Sequence, residues 1–117
     1  MTFFPNRFYL YVVDLEPRVG TKSGKQRPCL AIQPSEFSIA GLGSTVVLPI
    51  TTQCKGANAY PLRVAIPKGL TALASDSEIM IDQILAWDNI LFRKELGPLP
   101  EAICNRVKKA LLEFLDL

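Results

Sequence analysis

The chain contains no histidine. Imidazole is the usual general base of serine and cysteine hydrolases, a partner in paired-histidine ribonuclease sites and the commonest zinc ligand. The sequence therefore excludes each of these sites unless another molecule supplies the imidazole. The three cysteines are an odd number, widely spaced and without a CxxC pair, so they fit neither a disulfide framework nor a zinc ribbon. We interpret them as reduced thiols of a cytoplasmic protein.

Long apolar runs are also missing. The longest uncharged stretch, residues 37–54, contains glycines, a proline and several hydroxyl residues, so it is predicted to be a loop followed by a strand and not a membrane span. Pro5, Asn6 and Arg7 interrupt the N-terminal residues where a signal peptide needs an apolar core. The length of 117 residues predicts a single domain over 1–117. A domain this small buries only about two-thirds of its unfolded surface, which favours an oligomer.

Positive charge is concentrated in one segment. The chain has 13 basic and 11 acidic residues, for a net charge of +2. Residues 16–27 alone hold four basic residues and one acidic residue, a net charge of +3, so the other residues sum to −1. Proline, glycine and hydroxyl residues in this segment predict a long connection between two strands of a hairpin. Any affinity for nucleic acid must come from this local patch.

Alternating and continuous apolar runs predict strands at residues 8–15, 28–33, 45–51, 62–66 and 78–87. The first run has apolar groups at successive positions, as a strand buried on both faces does, and Pro49 in the third predicts an edge or a bulge. A helical turn is predicted at Asp88–Lys94, with Asp88 as N-cap and Gly97 as stop. The order of elements predicts an α+β protein, mainly β, with an antiparallel sheet or partly closed barrel.

The final predicted element is an amphipathic helix with Pro100 in its first turn. Its apolar residues recur every three or four positions and form one stripe, which would pack on a sheet or a partner. The stripe consists of Ile103, Val107, Ala110, Leu111, Phe114 and Leu115.

Two positions at strand ends could bind a phosphate. Arg27 lies where the basic segment enters the second strand, so its guanidinium has a rigid base beside mobile positive charge. Thr51 ends the third strand, where its hydroxyl could donate to a phosphate oxygen. Each residue also has an ordinary interpretation: Arg27 as a solvated surface cation, and Thr51 as a β-branched residue chosen for packing.

Asp82 stands within the apolar run of residues 79–85, so the sequence predicts a buried carboxylate that is hydrogen-bonded or ion-paired, or one at the sheet edge. Pairing with Arg27 or Arg63 would satisfy it, and the open interpretations are a structural ion pair or interface residue on one side and a catalytic base on the other. Trp87 and Phe92 could stack on bases, although aromatic side chains in a small domain more often belong to the core.

Three segments follow one another in an order that resembles the MazF/PemK family of toxin endoribonucleases from bacterial toxin–antitoxin pairs. They are VDLEPRVGTKSGKQRPCLAIQ (13–33), VVLPITTQ (46–53) and SDSEIMIDQI (75–84), followed by the terminal amphipathic helix. The match extends from about Val12 to the C-terminus. The resemblance implies a small, strongly bent antiparallel sheet in an SH3-like, partly closed barrel. It also implies a homodimer whose basic loops border a groove for single-stranded RNA.

The same resemblance implies the chemistry and the residues. Arg27 matches the family's catalytic arginine, Thr51 its catalytic threonine, and Asp82 a carboxylate implicated as base in some members. The ribose 2′-hydroxyl attacks the adjacent phosphorus to give a 2′,3′-cyclic phosphate and a free 5′-hydroxyl, with no metal or other cofactor. A cognate antitoxin would cover the groove with an acidic, disordered segment. The predicted RNA-binding residues are Arg18, Lys22, Lys25, Gln26, Thr52, Gln53, Lys55 and Gln83.

Three positions depart from the family pattern. Phe8 and Tyr9 replace the common Gly-Asp pair before the first strand, and Lys22 replaces an acidic residue. Leu85 replaces an arginine that commonly lies near the groove, which leaves two other hypotheses open. One is a gyrase poison of the CcdB type, which acts through its C-terminal residues, and the other is a degenerate member that binds without cutting. The gyrase poison has no need for the Arg-Pro and Thr-Thr-Gln sequences that this chain contains.

Overall fold

The computed structural model describes residues 4–16 and 25–117. Arg18 and Lys22, two of the predicted RNA-binding residues, lie outside these ranges. In the described chain the elements are β1 (Tyr9–Glu16), β2 (Lys25–Ala31), α1 (Ser35–Ile39), β3 (Ser44–Thr51), β4 (Arg63–Ile66), β5 (Ser77–Met80), β6 (Leu85–Asp88), β7 (Phe92–Pro98) and α2 (Glu101–Leu115). Single 3-10 turns lie at Ala57–Ala59 and Asn89–Leu91.

The described strands form one antiparallel sheet in the order β4-β5-β3-β2-β1-β7, with β6 paired to β3. Strands β4 and β7 are its two edges and do not pair with each other in this part of the chain, so the sheet is not closed. The predicted class, mainly β with an antiparallel sheet and a C-terminal helix, is confirmed. Neither helix of the described chain has the length and apolar character that crossing a membrane requires.

The sheet is buried on both faces, as the first apolar run predicts. Leu10 belongs to a cluster that also contains Ile103, Val107 and Ala110 of α2, so the helix covers one face. The neighbouring Tyr11 belongs to a second cluster on the other face, together with residues from β2, β3 and β7. Successive residues of β1 thus enter opposite cores, because side chains alternate across a strand.

The predicted C-terminal helix is present, and its apolar stripe is covered only in part. Pro100 is the N-cap, one position earlier than predicted. Ile103, Val107 and Ala110 are buried, whereas Phe114 and Leu115 are exposed. The first three turns of α2 therefore pack on the sheet, and its last turn presents apolar side chains to solvent.

The prediction of one long strand over residues 78–87 is wrong, because β5 and β6 are separate strands. β5 pairs with the end of β3 at Ile50 and Thr51, and β6 pairs with its first half up to Val47. The interruption falls opposite Leu48 and Pro49, and proline has no N–H for a ladder. Pro49 lies in an inner strand and pairs with Cys29 of β2 without a register shift, so neither the edge position nor the bulge predicted for it is observed.

The region after β6 also differs from the prediction. Asp88 is an N-cap, with its carboxylate accepting a hydrogen bond from the Ile90 N–H (3.3 Å), but the turn is short and continues into β7. Gly97 lies inside β7 and is not a helix stop. Its φ of +105° coincides with a register shift against β1, which glycine tolerates best. The five-residue helix α1 was not predicted, since it is too short for a periodic pattern.

Candidate active site

A cleft of about 460 Å3 lies where β2 begins and β3 ends. β2 and β3 are neighbours in the sheet, so the two strand ends that carry the Arg-Pro and Thr-Thr-Gln sequences come together. Five of the predicted site residues line this cleft: Gln26, Arg27, Thr51, Thr52 and Gln53. The remaining lining residues are Pro28, Ile50, Leu73, Ala74, Ser75 and Ser77.

Arg27 supplies the positive charge of the cleft. It lies in β2 opposite Val13, so the strand pairing fixes the base of its side chain. Among the described residues, no carboxylate is within ion-pair distance of Arg27, and no other charged side chain lines the cleft. Its guanidinium therefore keeps its charge and its five donors for an anion that enters the cleft.

Thr51 supplies an oriented hydroxyl. It is the last residue of β3, and its Oγ1 accepts a hydrogen bond from the Gln53 N–H at 3.1 Å. Because this bond uses the oxygen as acceptor, the hydroxyl hydrogen stays available to donate. The cleft thus combines one cationic and one neutral donor, which suits a phosphate group whose oxygens become more negative during reaction.

The opposite wall of the cleft was not predicted. It consists of Leu73, Ala74 and Ser75, from the segment between β4 and β5, and of Ser77, the first residue of β5. The Ser77 hydroxyl donates to the Ser75 carbonyl at 2.9 Å, and Leu73 packs against the helix-side core. Small, uncharged side chains in a connecting segment have no distinguishing pattern, so sequence reasoning could not find them.

The other predicted site residues do not line the cleft. Lys25, Lys55 and Gln83 are exposed outside it. Asp82 is exposed as well, in the turn after β5, so the prediction of a buried carboxylate is wrong. The apolar run ends as a strand at Met80, and the turn that follows directs the backbone at Asp82 towards solvent.

The buried carboxylate of this region is Glu78, which sequence reasoning missed. It pairs with Arg63, at 3.0 Å between Nη1 and Oε1, whereas Arg63 was predicted as a partner for Asp82. Burial alone would raise the pKa of the Glu78 carboxyl. Hydrogen bonds from the Lys55 and Gly56 N–H groups and from Arg63 outweigh this effect and hold the pKa below its usual range.

Cys29 lies two residues after Arg27 in β2. Burial raises the pKa of its thiol to about 12, even though the charge of Arg27 lowers it. The thiol is therefore neutral at physiological pH and is excluded as a general base. Across residues 4–16 and 25–117, no group of three or more histidine, cysteine, aspartate or glutamate side chains is arranged to hold a metal ion.

The aromatic residues that could have stacked on bases belong to the core. Phe92 is buried in the second cluster, with its ring 5.5 Å from that of Tyr11. Trp87 packs on the same cluster, and its indole N–H donates to the Asp14 carbonyl at 2.9 Å. Leu85, which stands where the family commonly has an arginine, packs there too. Its side chain serves the core and does not line the cleft.

The fold and the cleft together define a small β-sheet protein in which Arg27 and Thr51 line one cleft at two adjoining strand ends. Comparison with known proteins assigns it more narrowly. The family described as PemK-like, MazF-like toxin of type II toxin–antitoxin systems matches residues 6–115. The chain belongs to this family.

Individual relatives agree with the assignment. The chain is 30% identical over 108 residues to the endoribonuclease EndoA of Bacillus subtilis, covering 92% of this chain and 91% of the relative. It is 26% identical over 112 residues to the endoribonuclease MazF9 of Mycobacterium tuberculosis, covering 92% and 93%.

Solved structures show the same fold. MazF of Deinococcus radiodurans superposes with a TM-score of 0.77 at 23% identity, covering 98% of this chain and 99% of that one. A MazE–MazF complex of the same organism gives a TM-score of 0.79 at 23% identity, with 98% of each chain covered.

Proposed function

We propose that this toxin-family endoribonuclease cuts single-stranded RNA, chiefly messenger RNA, at short sequences bound in the cleft. The observation that supports this most is the pairing of Arg27 and Thr51 in one cleft, with Arg27 free of described carboxylates. A phosphodiester would supply a negatively charged partner for Arg27, which has none among the described residues. The hydroxyl of Thr51 adds a second donor whose orientation the Gln53 N–H holds.

In the proposed reaction, the ribose 2′-oxygen bonds to the adjacent phosphorus and the bond from phosphorus to the 5′-oxygen breaks. The products are a 2′,3′-cyclic phosphate and a 5′-hydroxyl, which receives a proton. The phosphorane between them has more charge on its non-bridging oxygens than the substrate has. Donors aimed at those oxygens lower the barrier, each by roughly 2–4 kcal/mol.

Removal of the 2′-hydroxyl proton is assigned to water in this proposal. No carboxylate among the described residues lines the cleft, the Cys29 thiol is neutral, and Asp82 lies outside the lining. An arginine stays protonated in proteins, so Arg27 acts as an electrostatic stabiliser and a proton-holding donor, not as the base.

We also propose that the toxin acts in the cytoplasm as a homodimer and is neutralised by a cognate antitoxin. Its small size favours an oligomer, and the last turn of α2 exposes Leu112, Phe114, Leu115 and Leu117, which a second protomer could cover. A similar structure is a MazE–MazF complex, which supports an antitoxin partner for this chain too. An acidic segment of the antitoxin would compete with RNA for Arg27.

The test is to incubate the purified protein with a long single-stranded RNA in the presence of a chelator and to map the new ends by sequencing. We expect discrete cuts at a short recurring sequence, with 5′-hydroxyl ends and 2′,3′-cyclic phosphates. Folded protein that leaves the RNA intact would contradict the proposal and favour the gyrase poison or the non-cleaving member. Gyrase-dependent DNA breaks in a parallel assay would identify the former.

A further inference from the structure

Residues 52–56 leave the end of β3 without forming a helix or a strand, yet four hydrogen bonds tie their backbone to Thr51, Arg63 and Glu78. The Gln53 N–H donates to Thr51 Oγ1 (3.1 Å), and the Gln53 carbonyl accepts from Arg63 Nη1 (3.1 Å). The Lys55 and Gly56 N–H groups donate to Glu78 Oε1 (2.8 Å) and Oε2 (3.0 Å). Two residues of this segment, Thr52 and Gln53, line the cleft.

Three of these four bonds depend on Glu78, directly or through Arg63. The Glu78 carboxylate is 3% exposed, and its two oxygens accept from Lys55, Gly56 and Arg63. Two successive backbone N–H groups that converge on one anion form a nest, a strong site for a carboxylate. Gly56 has a φ of +83°, which glycine adopts without strain, and its N–H donates to Glu78 Oε2.

The position of Glu78 in the sheet joins this network to the candidate active site. Glu78 is the cross-strand partner of Thr51, in the pair formed by β5 and β3. Arg63, on the adjacent strand β4, reaches past Glu78 to the Gln53 carbonyl with the same Nη1 that forms the ion pair. A buried carboxylate thus orients an arginine, and the arginine fixes the backbone of a residue that lines the cleft.

We infer that Glu78 is a positioning residue that holds residues 53–56, so that Gln53 meets RNA in a fixed orientation beside Arg27 and Thr51. The inference rests on the proposed function. Glu78 does not line the cleft and touches no reacting atom. Its contribution is to substrate binding: a segment that is ordered before RNA arrives loses less conformational freedom when RNA binds.

The alternative is that the ion pair only stabilises the fold, and the chain offers a matched control. Arg93 on the edge strand β7 pairs with the buried Asp14 (3.4 Å), as Arg63 on the edge strand β4 pairs with Glu78. Arg93 does not line the cleft. Arg93→Gln therefore removes a second arginine–carboxylate ion pair without releasing residues 53–56.

The first measurement is steady-state cleavage of a short RNA that contains the mapped cut site. In Glu78→Gln, an amide N–H2 group replaces one of the two acceptor oxygens. This group is itself a donor and cannot accept from the Lys55 or Gly56 N–H, so residues 53–56 are held less tightly. We expect KM to rise about tenfold and kcat to change less than about threefold, since the hydrogen bond from the Gln53 N–H to Thr51 does not depend on Glu78. Arg63→Gln should shift KM in the same direction, and Arg93→Gln should leave it unchanged.

A second variant avoids disturbing a buried charge. Gly56→Ala meets no atom within 4 Å, but its φ of +83° is strained for alanine, so the backbone turns its N–H away from Glu78. Gly41→Ala, with a φ of +116° and equally open surroundings outside the cleft, is the matched control. We expect a raised KM in the Gly56 variant and a wild-type KM in the Gly41 variant.

The outcomes separate the inference from the proposed function. A wild-type protein that does not cut RNA would contradict both. If the wild type cuts and the folded Glu78→Gln and Gly56→Ala variants keep its KM, the positioning role alone is overturned. An equal rise in KM for Arg93→Gln would overturn it as well, because the effect would then follow from lost stability. Should Glu78→Gln not fold, the Gly56 and Gly41 pair decides.

Discussion

The two buried carboxylates of the described chain are held in different ways. Glu78 is 3% exposed and accepts three hydrogen bonds of 2.8–3.0 Å, two from backbone N–H groups and one from Arg63. Asp14 is 5% exposed, and only its Oδ2 has a partner in the described chain, Arg93 at 3.4 Å. Both arginines lie on edge strands, β4 and β7 at opposite ends of the sheet.

The difference shows what each edge of the sheet does. At the β4 edge, the buried carboxylate of Glu78 and its partner Arg63 bind the backbone of residues 53–56. Because Gln53 lines the cleft, this ion pair positions part of the candidate active site. At the β7 edge, the ion pair is longer and involves an arginine whose side chain is 43% exposed, and such a pair contributes little to stability. The two arginine–carboxylate pairs thus differ in what they hold: the Arg63–Glu78 pair binds residues 53–56 beside the candidate active site, and the Arg93–Asp14 pair does not.

The largest expected effect separates a cleft arginine from an edge arginine. Arg27→Ala should lower kcat/KM by about 1000-fold, since Arg27 is the only cationic residue of the described chain that lines the cleft. Arg93→Ala should leave kcat/KM within about threefold, because Arg93 touches no substrate. Cleavage of a defined RNA by both variants, with circular dichroism to confirm folding, makes the measurement. A folded Arg27→Ala protein with wild-type activity would contradict the site assignment.

A second comparison sets two threonines of β3 against each other. Thr51→Val should reduce cleavage about 100-fold with little loss of stability, because the hydroxyl acts on substrate. Thr45 is 1% exposed, and its hydroxyl donates to Asn89 Oδ1 at 2.6 Å. Thr45→Val should therefore lower the free energy of unfolding by about 1–2 kcal/mol and leave activity unchanged. Both variants are measured by denaturant unfolding and by cleavage rate. We expect Thr51→Val to lose activity and Thr45→Val to lose stability. If Thr51→Val cuts RNA as fast as Thr45→Val does, Thr51 has only a packing role.

The pH dependence of stability should distinguish Glu78 from an ordinary surface carboxylate. The pKa of Glu78 lies below its usual value of 4.5, owing to the backbone and Arg63 hydrogen bonds that outweigh burial. A lowered folded-state pKa gives stability that is present above the unfolded pKa and is lost as pH falls through the folded one. The stability difference between wild type and Glu78→Gln should therefore shrink between about pH 6 and about pH 3. A constant difference would show that charge is not what Glu78 contributes.

The smallest effect is expected at Asp82, the exposed carboxylate. Asp82→Asn should change kcat/KM by less than about twofold, because the residue lies outside the cleft and the proposal uses water as the base. The slope of the pH–rate profile should also stay as in the wild type. A loss of about 100-fold with a flattened acidic limb would instead identify Asp82 as the base.

Much of the fold could be predicted from apolar patterns. The runs around β1 to β4 and the stripe of α2 are long enough for periodicity to show, and chain order then limits the topology. The break between β5 and β6 could not be predicted, since it depends on Pro49 in the facing strand. β7 was missed because Gly97 resembles a helix stop when its partner strand is unknown.

The part of the candidate site that could be predicted consists of polar residues at the ends of predicted strands. Arg27 and Thr51 come together because β2 and β3 are neighbours, and their role in cleavage stays a prediction. Asp82 was misplaced because burial was inferred from neighbours in sequence, while Glu78 looked like a polar residue at the start of a strand. Only the tertiary fold brings Arg63 and the N–H groups of Lys55 and Gly56 to it.

In the proposed reaction, RNA is cut by its own 2′-hydroxyl within the cleft of Arg27 and Thr51. This is tested with two oligonucleotides that contain the mapped cut site and differ by one 2′-deoxy substitution on the 5′ side of the scissile phosphate, both with chelator. We expect cleavage of the all-ribose strand and none of the substituted strand, because the nucleophile is gone. Cleavage of both strands at similar rates would contradict it.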